Sequence, residues 1–273
     1  MEELSKAVER FKRSHGAESW REAPAASRSV PPPIVYSRTR TVECEEEVLR
    51  RNRVLAAFER GSFVDSYQLL RTQVLHRLRE NNWSVLGVTS PRTHEGKTLT
   101  AVNLAITLAM EKTQTVMLID AELQQPQVHA LLGLGASTGL VDYVLEDMPL
   151  EDVLVYPSLG RLVVLPGGRP IHRSADVLTS PRMAALLAEV KYRYPARIIV
   201  VDLPPLLTRA DVLAIAPSLD ALLLVVEEGA TTRPDVEEAL ALVRGAVPVL
   251  GTVLNQAARY QRDVKAMRDL TAM

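Results

Sequence analysis

Cysteine, aromatic residues and net charge are all scarce in this sequence. Cys44 is the one cysteine among 273 residues, which excludes an intramolecular disulfide framework and a zinc site built from several thiolates. Aromatic residues make up 4% of the chain, so the core must consist mainly of Leu, Val, Ile and Ala. The formal net charge is -1, and a strongly basic nucleic-acid-binding protein is therefore not expected.

Long hydrophobic runs are also missing. No stretch reaches the roughly 18 uncharged apolar residues that a membrane-spanning helix needs, and the first residues lack the apolar centre of a signal peptide. We therefore expect a cytoplasmic protein, which a partner would recruit to the inner face of the membrane if it acts there. Hydrophobic residues make up 47% and charged residues 24% of the chain, which is ordinary for a globular protein.

The composition divides the chain into three parts. Residues 1–45 combine a short amphipathic helix with a linker that contains Pro31, Pro32 and Pro33, a run typical of extended polyproline. Residues 46–258 are predicted to form one domain, and residues 259–273 a polar C-terminal tail. The amphipathic helix is equally well explained as a docking segment or as a terminal helix that is marginal by itself.

Within the predicted domain, two helices precede a regular alternation of strands and helices. The helices are predicted at 46–60 and 64–80, followed by strands at 84–89, 115–120, 161–165, 197–202, 221–226 and 247–254 and further helices at 98–111, 182–194 and 233–244. Continuously apolar strands separated by helices predict an α/β fold with a mostly parallel sheet covered on both faces. Ligands of such sheets bind at the carboxyl ends of the strands.

The clearest motif lies between the first of these strands and the following helix. Gly96, Lys97 and Thr98 form the distinctive end of a P-loop. Its backbone N–H groups and helix start bind phosphates, its lysine reaches the β- and γ-phosphates, and its hydroxyl is placed for Mg²⁺. Pro91 stands where the motif has its first glycine, but the flanking strand and helix support a phosphate-binding loop.

Two carboxylate motifs follow apolar strands and should lie at the same sheet edge as the P-loop. These are Asp120 with Glu122, and Asp202 before Pro204 and Pro205. A carboxylate at the end of a buried strand is costly unless it has a partner or a function. Asp202 fits the Walker B position that holds Mg²⁺, and Asp120 and Glu122 fit either metal binding or proton transfer.

The ordered set of motifs resembles the bacterial tyrosine kinases of capsule and exopolysaccharide loci. Those kinases carry a P-loop, a D-x-D motif and a D-x-P-P Walker B motif, and the resemblance extends over residues 62–257. The amphipathic start and proline-containing linker resemble the subgroup associated with exosortase loci. The resemblance implies a P-loop NTPase fold that transfers the γ-phosphate of ATP to protein tyrosines in exopolysaccharide biosynthesis or export.

The resemblance also implies a set of site residues and partners. Lys97, Asp120 and Asp202 would be catalytic; Thr93, His94, Glu95, Gly96, Lys97, Thr98, Leu99 and Asn255 would bind ATP; Thr98, Asp120, Glu122 and Asp202 would hold Mg²⁺. The implied partners are a membrane-embedded chain-length regulator that activates the kinase and a protein tyrosine substrate. A homo-oligomer is compatible with the family, and no nucleic acid is expected.

Several positions depart from the family pattern. His94 stands where the family usually has glycine, Glu122 replaces the second aspartate, and Gln124 replaces an arginine. The C-terminal tyrosine cluster is also absent. Tyr260 in the tail and Tyr36 in the linker are the candidate phosphate acceptors.

Two other functions fit the same motifs. Min/Par-type ATPases are nucleotide-driven dimer switches whose signature lysine would fall on Arg92, and in that case Arg92 would contact the phosphates of a dimer partner. The altered P-loop and the Glu122 replacement also fit a catalytically weakened nucleotide-binding adaptor of the polysaccharide machinery. Phosphotyrosine, free phosphate or neither product would distinguish the three functions.

Overall fold

The structure is a computed structural model that describes residues 39–58, 61–135, 138–193 and 197–257. The predicted amphipathic helix, most of the linker and the C-terminal tail lie outside the described residues, as do Tyr36 and Tyr260. The domain boundaries at 45 and 258 therefore stay predictions.

The elements alternate along the chain in the predicted manner. The strands are β1 Arg40–Thr41, β2 Val85–Thr89, β3 Thr115–Asp120, β4 Val155–Tyr156, β5 Leu162–Leu165, β6 Arg197–Asp202, β7 Ala221–Glu227 and β8 Val249–Asn255. The helices are α1 Glu46–Arg51, α2 Ser62–Asn81, α3 Lys97–Ala109, α4 Val128–Leu131, α5 Leu140–Leu145, α6 Leu150–Val153, α7 Ser174–Leu178, α8 Pro181–Arg193, α9 Asp211–Ile215 and α10 Arg233–Val243, with a 3₁₀ turn at Ala216–Ser218.

The described strands form an eight-stranded sheet in the order β1-β4-β5-β3-β6-β2-β7-β8. Neighbouring strands are parallel except for β4 and β5. The sheet is mostly parallel and flanked by helices, which confirms the predicted fold class. Because β2, β3 and β6 are adjacent and parallel, their carboxyl ends meet at one edge of the sheet.

Both faces of the sheet are buried, and the interior positions of the central strands β3 and β6 are continuously apolar. Val116 and Leu118 of β3 pack in one core cluster with Leu104 of α3, whereas Met117 and Ile119 pack in a second cluster on the other face. This alternation follows from the twofold side-chain period of a strand. The continuous apolar run, rather than an alternating one, therefore correctly indicated a parallel sheet.

The helix predicted over 46–60 is shorter than expected, because it ends at Arg51. Tertiary hydrogen bonds replace the helical ones beyond that point. The Asn103 side-chain oxygen accepts hydrogen bonds from the backbone N–H groups of Leu55 and Ala56, at 3.1 and 3.2 Å. Asn52 in turn donates to the carbonyl oxygens of Ala130 and Leu131. The segment after α1 thus follows α3 and α4 instead of continuing its own helix.

Short elements escaped the sequence prediction. The strands β1 and β4 have two residues each, and α4 and α6 have four, so none is long enough to show a hydrophobic period. No helix in the described part of the chain has the length and apolarity required to cross a bilayer.

Candidate functional site

The carboxyl ends of β2, β3 and β6 bring the sequence-predicted motifs together. Asp120 and Asp202 are register partners on the adjacent strands β3 and β6, and the P-loop segment 89–98 follows β2 directly. Thr89 Oγ1 donates a 2.7 Å hydrogen bond to the carbonyl oxygen of Pro204, which ties the start of the P-loop to the Pro pair after β6. We call this edge of the sheet the motif rim.

The P-loop backbone adopts left-handed conformations at two positions. Gly96 has φ of 87° and precedes the first residue of α3, and a Cβ atom there would lie 2.0 Å from Asn255 Nδ2. The close approach and the positive φ together require glycine at this position. His94 has φ of 65°, the conformation that favours glycine, and histidine is among the other residues that tolerate this region.

Hydrogen bonds of Glu95 connect the P-loop to the turn after β7 and to the end of β8. Its side chain is buried and accepts a 2.7 Å hydrogen bond from the backbone N–H of Arg92 and another from the Thr231 hydroxyl. Asn255 Nδ2 donates to the Glu95 carbonyl oxygen at 2.9 Å. Within the protein, Glu95 and Asn255 thus shape the loop, which is a role that the sequence did not predict for either residue.

The other predicted nucleotide contacts of this segment differ in exposure. Thr93 and His94 are exposed on the outside of the loop. The Leu99 side chain packs against the core cluster that includes α3. Its backbone N–H is therefore the group that a nucleotide can contact. The first N–H groups of a helix lack intrahelical partners, and the start of α3 can therefore bind an anion.

Lys97 and Glu122 form an ion pair at the motif rim. Lys97 Nζ lies 3.3 Å from Glu122 Oε2 and donates a 3.1 Å hydrogen bond to Thr98 Oγ1. The second oxygen of Glu122 accepts a hydrogen bond from Arg209 Nη1. The sequence prediction did not include Arg209. One indication of it was present in the sequence, because Arg209 is the only charged residue in the segment 203–210 that follows Asp202.

Asp120 is fully buried and held by backbone donors. One oxygen accepts from the N–H of Glu122 at 3.2 Å, and the other accepts from Gln127 and Val128, both at 3.0 Å. Burial, followed by the nearby charge of Asp202, raises the pKa of Asp120 to about 8, although the backbone donors and Lys97 act in the opposite direction. Two adjacent buried carboxyl groups cannot easily both be charged.

Asp202 is fully buried as well, but both of its carboxylate oxygens lack a hydrogen-bond partner. Burial raises the pKa of Asp202 to about 6, while the charge of Lys97 and the Thr98 hydroxyl lower it. The Thr98 hydroxyl is thus close enough to favour the charged carboxylate, but it does not reach the geometry of a full hydrogen bond. Buried polar atoms in native proteins are nearly always paired. An unpaired carboxylate beside a phosphate-binding loop therefore indicates a group reserved for a ligand.

The predicted Mg²⁺ ligands fit that interpretation. Within the described ranges, no three His, Cys, Asp or Glu side chains converge to hold a metal ion by themselves. Mg²⁺ in nucleotide sites usually takes one or two carboxylates together with substrate phosphates and water. The unpaired oxygens of Asp202 and the adjacent hydroxyl of Thr98 supply that donor set, whereas Glu122 is already engaged by two cations.

A second set of buried polar contacts lies next to the rim. Gln124 Nε2 donates to Ser174 Oγ at 3.1 Å, and Ser174 Oγ donates to Asp211 Oδ2 at 2.6 Å. Ser174 and Asp211 are both buried. These contacts join the loop after β3 to the start of α9 through Ser174 of α7. The sequence could not indicate them because the residues are 37 and 50 positions apart.

Arg92 pairs within its own chain. Its Nη2 lies 2.6 Å from Asp235 Oδ1 at the start of α10, and Asp235 also takes part in the capping box of that helix with Thr232. This ion pair raises the pKa of Arg92 and holds the pKa of Asp235 well below its usual range. The sequence, which offered Arg92 as a contact to a dimer partner, did not predict this pair.

Comparison with known proteins relates this arrangement to others. The ParA family model, described as "NUBPL iron-transfer P-loop NTPase", matches residues 83–269. The tyrosine-protein kinase YwqD of Bacillus subtilis is 28% identical over 210 residues, covering 76% of this chain and 86% of YwqD. The succinoglycan biosynthesis transport protein ExoP of Rhizobium meliloti is 29% identical over 213 residues, but the match covers only 26% of ExoP.

Among solved structures, the kinase domain of the Escherichia coli tyrosine kinase ETK superposes with a TM-score of 0.69 at 26% identity. The match covers 82% of this chain and 92% of that domain. The predicted similarity to bacterial tyrosine kinases is thereby confirmed in both sequence and fold. The chain spans most of YwqD and of the ETK kinase domain, but about a quarter of the length of ExoP.

Proposed function

The chain belongs to the ParA family of P-loop NTPases, and from that premise we propose that it is a protein-tyrosine kinase. It would bind ATP with Mg²⁺ at the motif rim and transfer the γ-phosphate to a tyrosine hydroxyl of a protein. Its relatives include tyrosine-protein kinases and a transport protein of succinoglycan biosynthesis. We therefore propose further that it acts in exopolysaccharide biosynthesis or export.

The observation that carries the proposal is the unpaired Asp202 carboxylate beside Lys97 and Thr98. Burying a carboxyl group without a partner destabilises the empty protein. A bound nucleotide with Mg²⁺ removes that cost, because it supplies the positive charge and the ligand that the oxygens lack. Thr98 and Asp202 would hold the ion, which would neutralise charge on the phosphates.

The chain's own residues divide the remaining work. Lys97 and the N–H groups at the start of α3 would bind the phosphates. Asp120 would accept the proton of the tyrosine hydroxyl as the tyrosine oxygen bonds to the γ-phosphorus and ADP leaves. The raised pKa of Asp120 suits this role, because it makes the carboxylate a stronger base than that of a free aspartate.

We propose a membrane-embedded chain-length regulator as the activating partner. About three quarters of ExoP lies outside the match with this chain, so in ExoP the matched region is joined to other segments. The regulator would bring the chain to the inner face of the membrane. Co-expression with the regulator should then increase phosphotyrosine formation, and an unchanged yield would count against this partner.

The function can be tested by incubating the purified chain with ATP and Mg²⁺ and measuring phosphotyrosine and free phosphate by mass spectrometry. Phosphotyrosine should form on the chain or on added protein, with Tyr260 and Tyr36 as the acceptors to inspect first. It should disappear in Lys97→Met and persist in Lys112→Met, which removes an exposed lysine just beyond α3.

The same experiment separates the alternatives. Free phosphate without phosphotyrosine would replace the kinase assignment with an ATPase switch of the Min/Par type. Bound nucleotide with neither product, also in the presence of the regulator, would indicate an adaptor. The structure adds no support to the dimer switch, because Arg92 is engaged by Asp235 of its own chain.

A further inference from the structure

Glu122 lies between two cations at the motif rim. Its Oε2 is 3.3 Å from Lys97 Nζ, and its Oε1 accepts a hydrogen bond from Arg209. The three side chains are largely enclosed, with 7% of Glu122, 12% of Lys97 and 17% of Arg209 exposed. Charges so poorly solvated interact more strongly than surface ion pairs do.

Once a nucleotide is bound, Lys97 cannot contact Glu122 and the phosphates equally well. The P-loop lysine must direct its ammonium group to the β- and γ-phosphates, so its contact with Glu122 must weaken. A buried carboxylate that loses its cation beside phosphate groups would be strongly destabilised. Arg209 removes this difficulty because its guanidinium remains on the other oxygen.

Arg209 is well placed for such a role. It lies in the loop between Asp202 and α9, whereas Glu122 lies in the loop after β3. Gln124, two residues after Glu122, is neutral and bonds to Ser174 instead. The contact from Gln124 through Ser174 to Asp211 joins the loop that carries Glu122 to the start of α9, two residues after Arg209, which keeps the guanidinium within reach of Glu122.

We propose that Arg209 is a positioning residue for nucleotide binding: it retains Glu122 and thereby releases Lys97 to the phosphates of a nucleoside triphosphate or diphosphate. The proposal rests on the proposed nucleotide-binding function. It predicts that the negative charge of Glu122 becomes harmful to phosphate binding when Arg209 is removed, because Glu122 then holds Lys97 alone and repels the phosphates.

The test is titration of each purified variant with ADP and Mg²⁺ by calorimetry, which measures binding without turnover. Arg209→Leu should weaken binding by about tenfold or more, because it removes a charge-assisted hydrogen bond from an enclosed site. Arg209→Lys should bind with intermediate affinity, since it keeps the charge but not the fork of donors. Arg50→Leu is the matched control, because it breaks an exposed ion pair with Glu46 in α1 and should bind like the unmodified protein.

The decisive variant is the double substitution Glu122→Gln with Arg209→Leu. It should recover most of the affinity lost by Arg209→Leu alone, because the harmful charge is removed with its partner. A purely structural role for Arg209 predicts no such recovery. Unchanged affinity in Arg209→Leu, or no recovery in the double variant, would overturn the proposal.

Folding is monitored in parallel by thermal unfolding without nucleotide. If Arg209→Leu does not fold, the comparison of Arg209→Lys with its Glu122→Gln double variant makes the same test. Failure of the unmodified protein to bind ADP with Mg²⁺ would instead refute the nucleotide-binding function itself. Normal binding by the unmodified protein with no effect of Arg209 would refute only the positioning role.

Discussion

Asp202 lies at the carboxyl end of β6, and Asp220 lies just before the amino end of β7, so the two aspartates are at opposite edges of the sheet. Their hydrogen-bond partners differ. Asp202 ends β6 at the motif rim, where both of its oxygens lack a hydrogen-bond partner. Asp220 directly precedes β7 and accepts hydrogen bonds from the backbone N–H groups of Ser84 and Val85, at 2.7 and 2.9 Å, and from Lys191 Nζ at 2.8 and 3.0 Å. Of these two aspartates, Asp220 is therefore hydrogen-bonded, whereas Asp202 is not.

The difference indicates that Asp220 stabilises the fold, whereas Asp202 is available to bind a ligand. Burial raises the pKa of Asp202 to about 6. For Asp220 burial also acts upward, but Lys191 and the backbone donors outweigh it and lower the pKa. A charged group that is fully hydrogen-bonded stabilises the protein, whereas one that is buried and unpaired destabilises it until a partner arrives.

The largest expected effect is the loss of catalysis in Asp202→Asn. Replacing the unpaired carboxylate with an amide removes charge that would hold Mg²⁺, and we expect phosphotyrosine formation to fall by about 100-fold or more. Asp220→Asn, the matched substitution at the other end of the sheet, should keep its activity per folded molecule. Equal losses in the two variants would remove the distinction between the two aspartates.

The next effect is on stability, and here we expect Asp220→Asn to be the more damaging of the two substitutions. Asp220→Asn weakens hydrogen bonds to a charged acceptor and should lower the free energy of unfolding by about 1–3 kcal/mol. Asp202→Asn should leave the nucleotide-free protein as stable or raise its stability by about 1–2 kcal/mol near pH 8, since it removes an uncompensated buried charge. Urea unfolding curves of both variants without nucleotide would measure the two changes. A marked destabilisation by Asp202→Asn would show that its carboxylate is needed for folding.

Asp202 and Asp220 should also contribute to stability with opposite dependences on pH. Asp202 has a raised pKa, so the folded state binds its proton more tightly than the unfolded state. This contribution is fully present below about pH 3.8 and is lost as the pH rises through about 6, and through about 8 for Asp120. Asp220 has a lowered pKa, so its contribution is present above pH 3.8 and is lost as the pH falls.

Unfolding curves measured from about pH 2 to about pH 9 should therefore differ between the two variants. Asp202→Asn should flatten the decline in stability between pH 4 and pH 7, and Asp220→Asn should flatten the loss on the acid side. If Asp202→Asn leaves the slope above pH 4 unchanged, the buried carboxyl groups are not the source of the pH dependence.

The smallest effect is expected at the Arg92–Asp235 pair, in which Asp235 is buried and Arg92 is exposed. Because the Arg92 side chain is 58% exposed, solvent screens its charge and the pair contributes little. Arg92→Ala should therefore change phosphotyrosine formation by less than about threefold. A loss of ATP turnover together with a loss of dimers in size-exclusion chromatography would instead favour the dimer-switch alternative.

The fold could be predicted where the sequence pattern is long and continuous. The strand predicted at 115–120 agrees with β3, and the one predicted at 197–202 agrees with β6. Each consists of an apolar run that ends in an aspartate. The helix predicted over 46–60 was wrong over the described residues 52–58, because the Asn103 side chain, which is distant in sequence, binds the backbone there. A local period cannot reveal such a competitor.

The candidate site shows the same limit. The motifs at the rim were predictable because they follow buried strands whose parallel ends must meet. The partners of these residues were not, since Arg209, Thr231 and Asp235 reach the rim from segments more than 80 positions away. Whether Asp202 has a partner is likewise a property of the packed site and not of the D-x-P-P motif.

The most direct test of the central claim is the Mg²⁺ dependence of ADP binding in the two aspartate variants. Calorimetry would compare each affinity with and without Mg²⁺. We predict that the unmodified protein and Asp220→Asn bind ADP about tenfold or more tightly when Mg²⁺ is present, and that Asp202→Asn loses most of this gain. If Asp202→Asn keeps the full gain from Mg²⁺, the unpaired carboxylate is not reserved for the ion and the account is wrong.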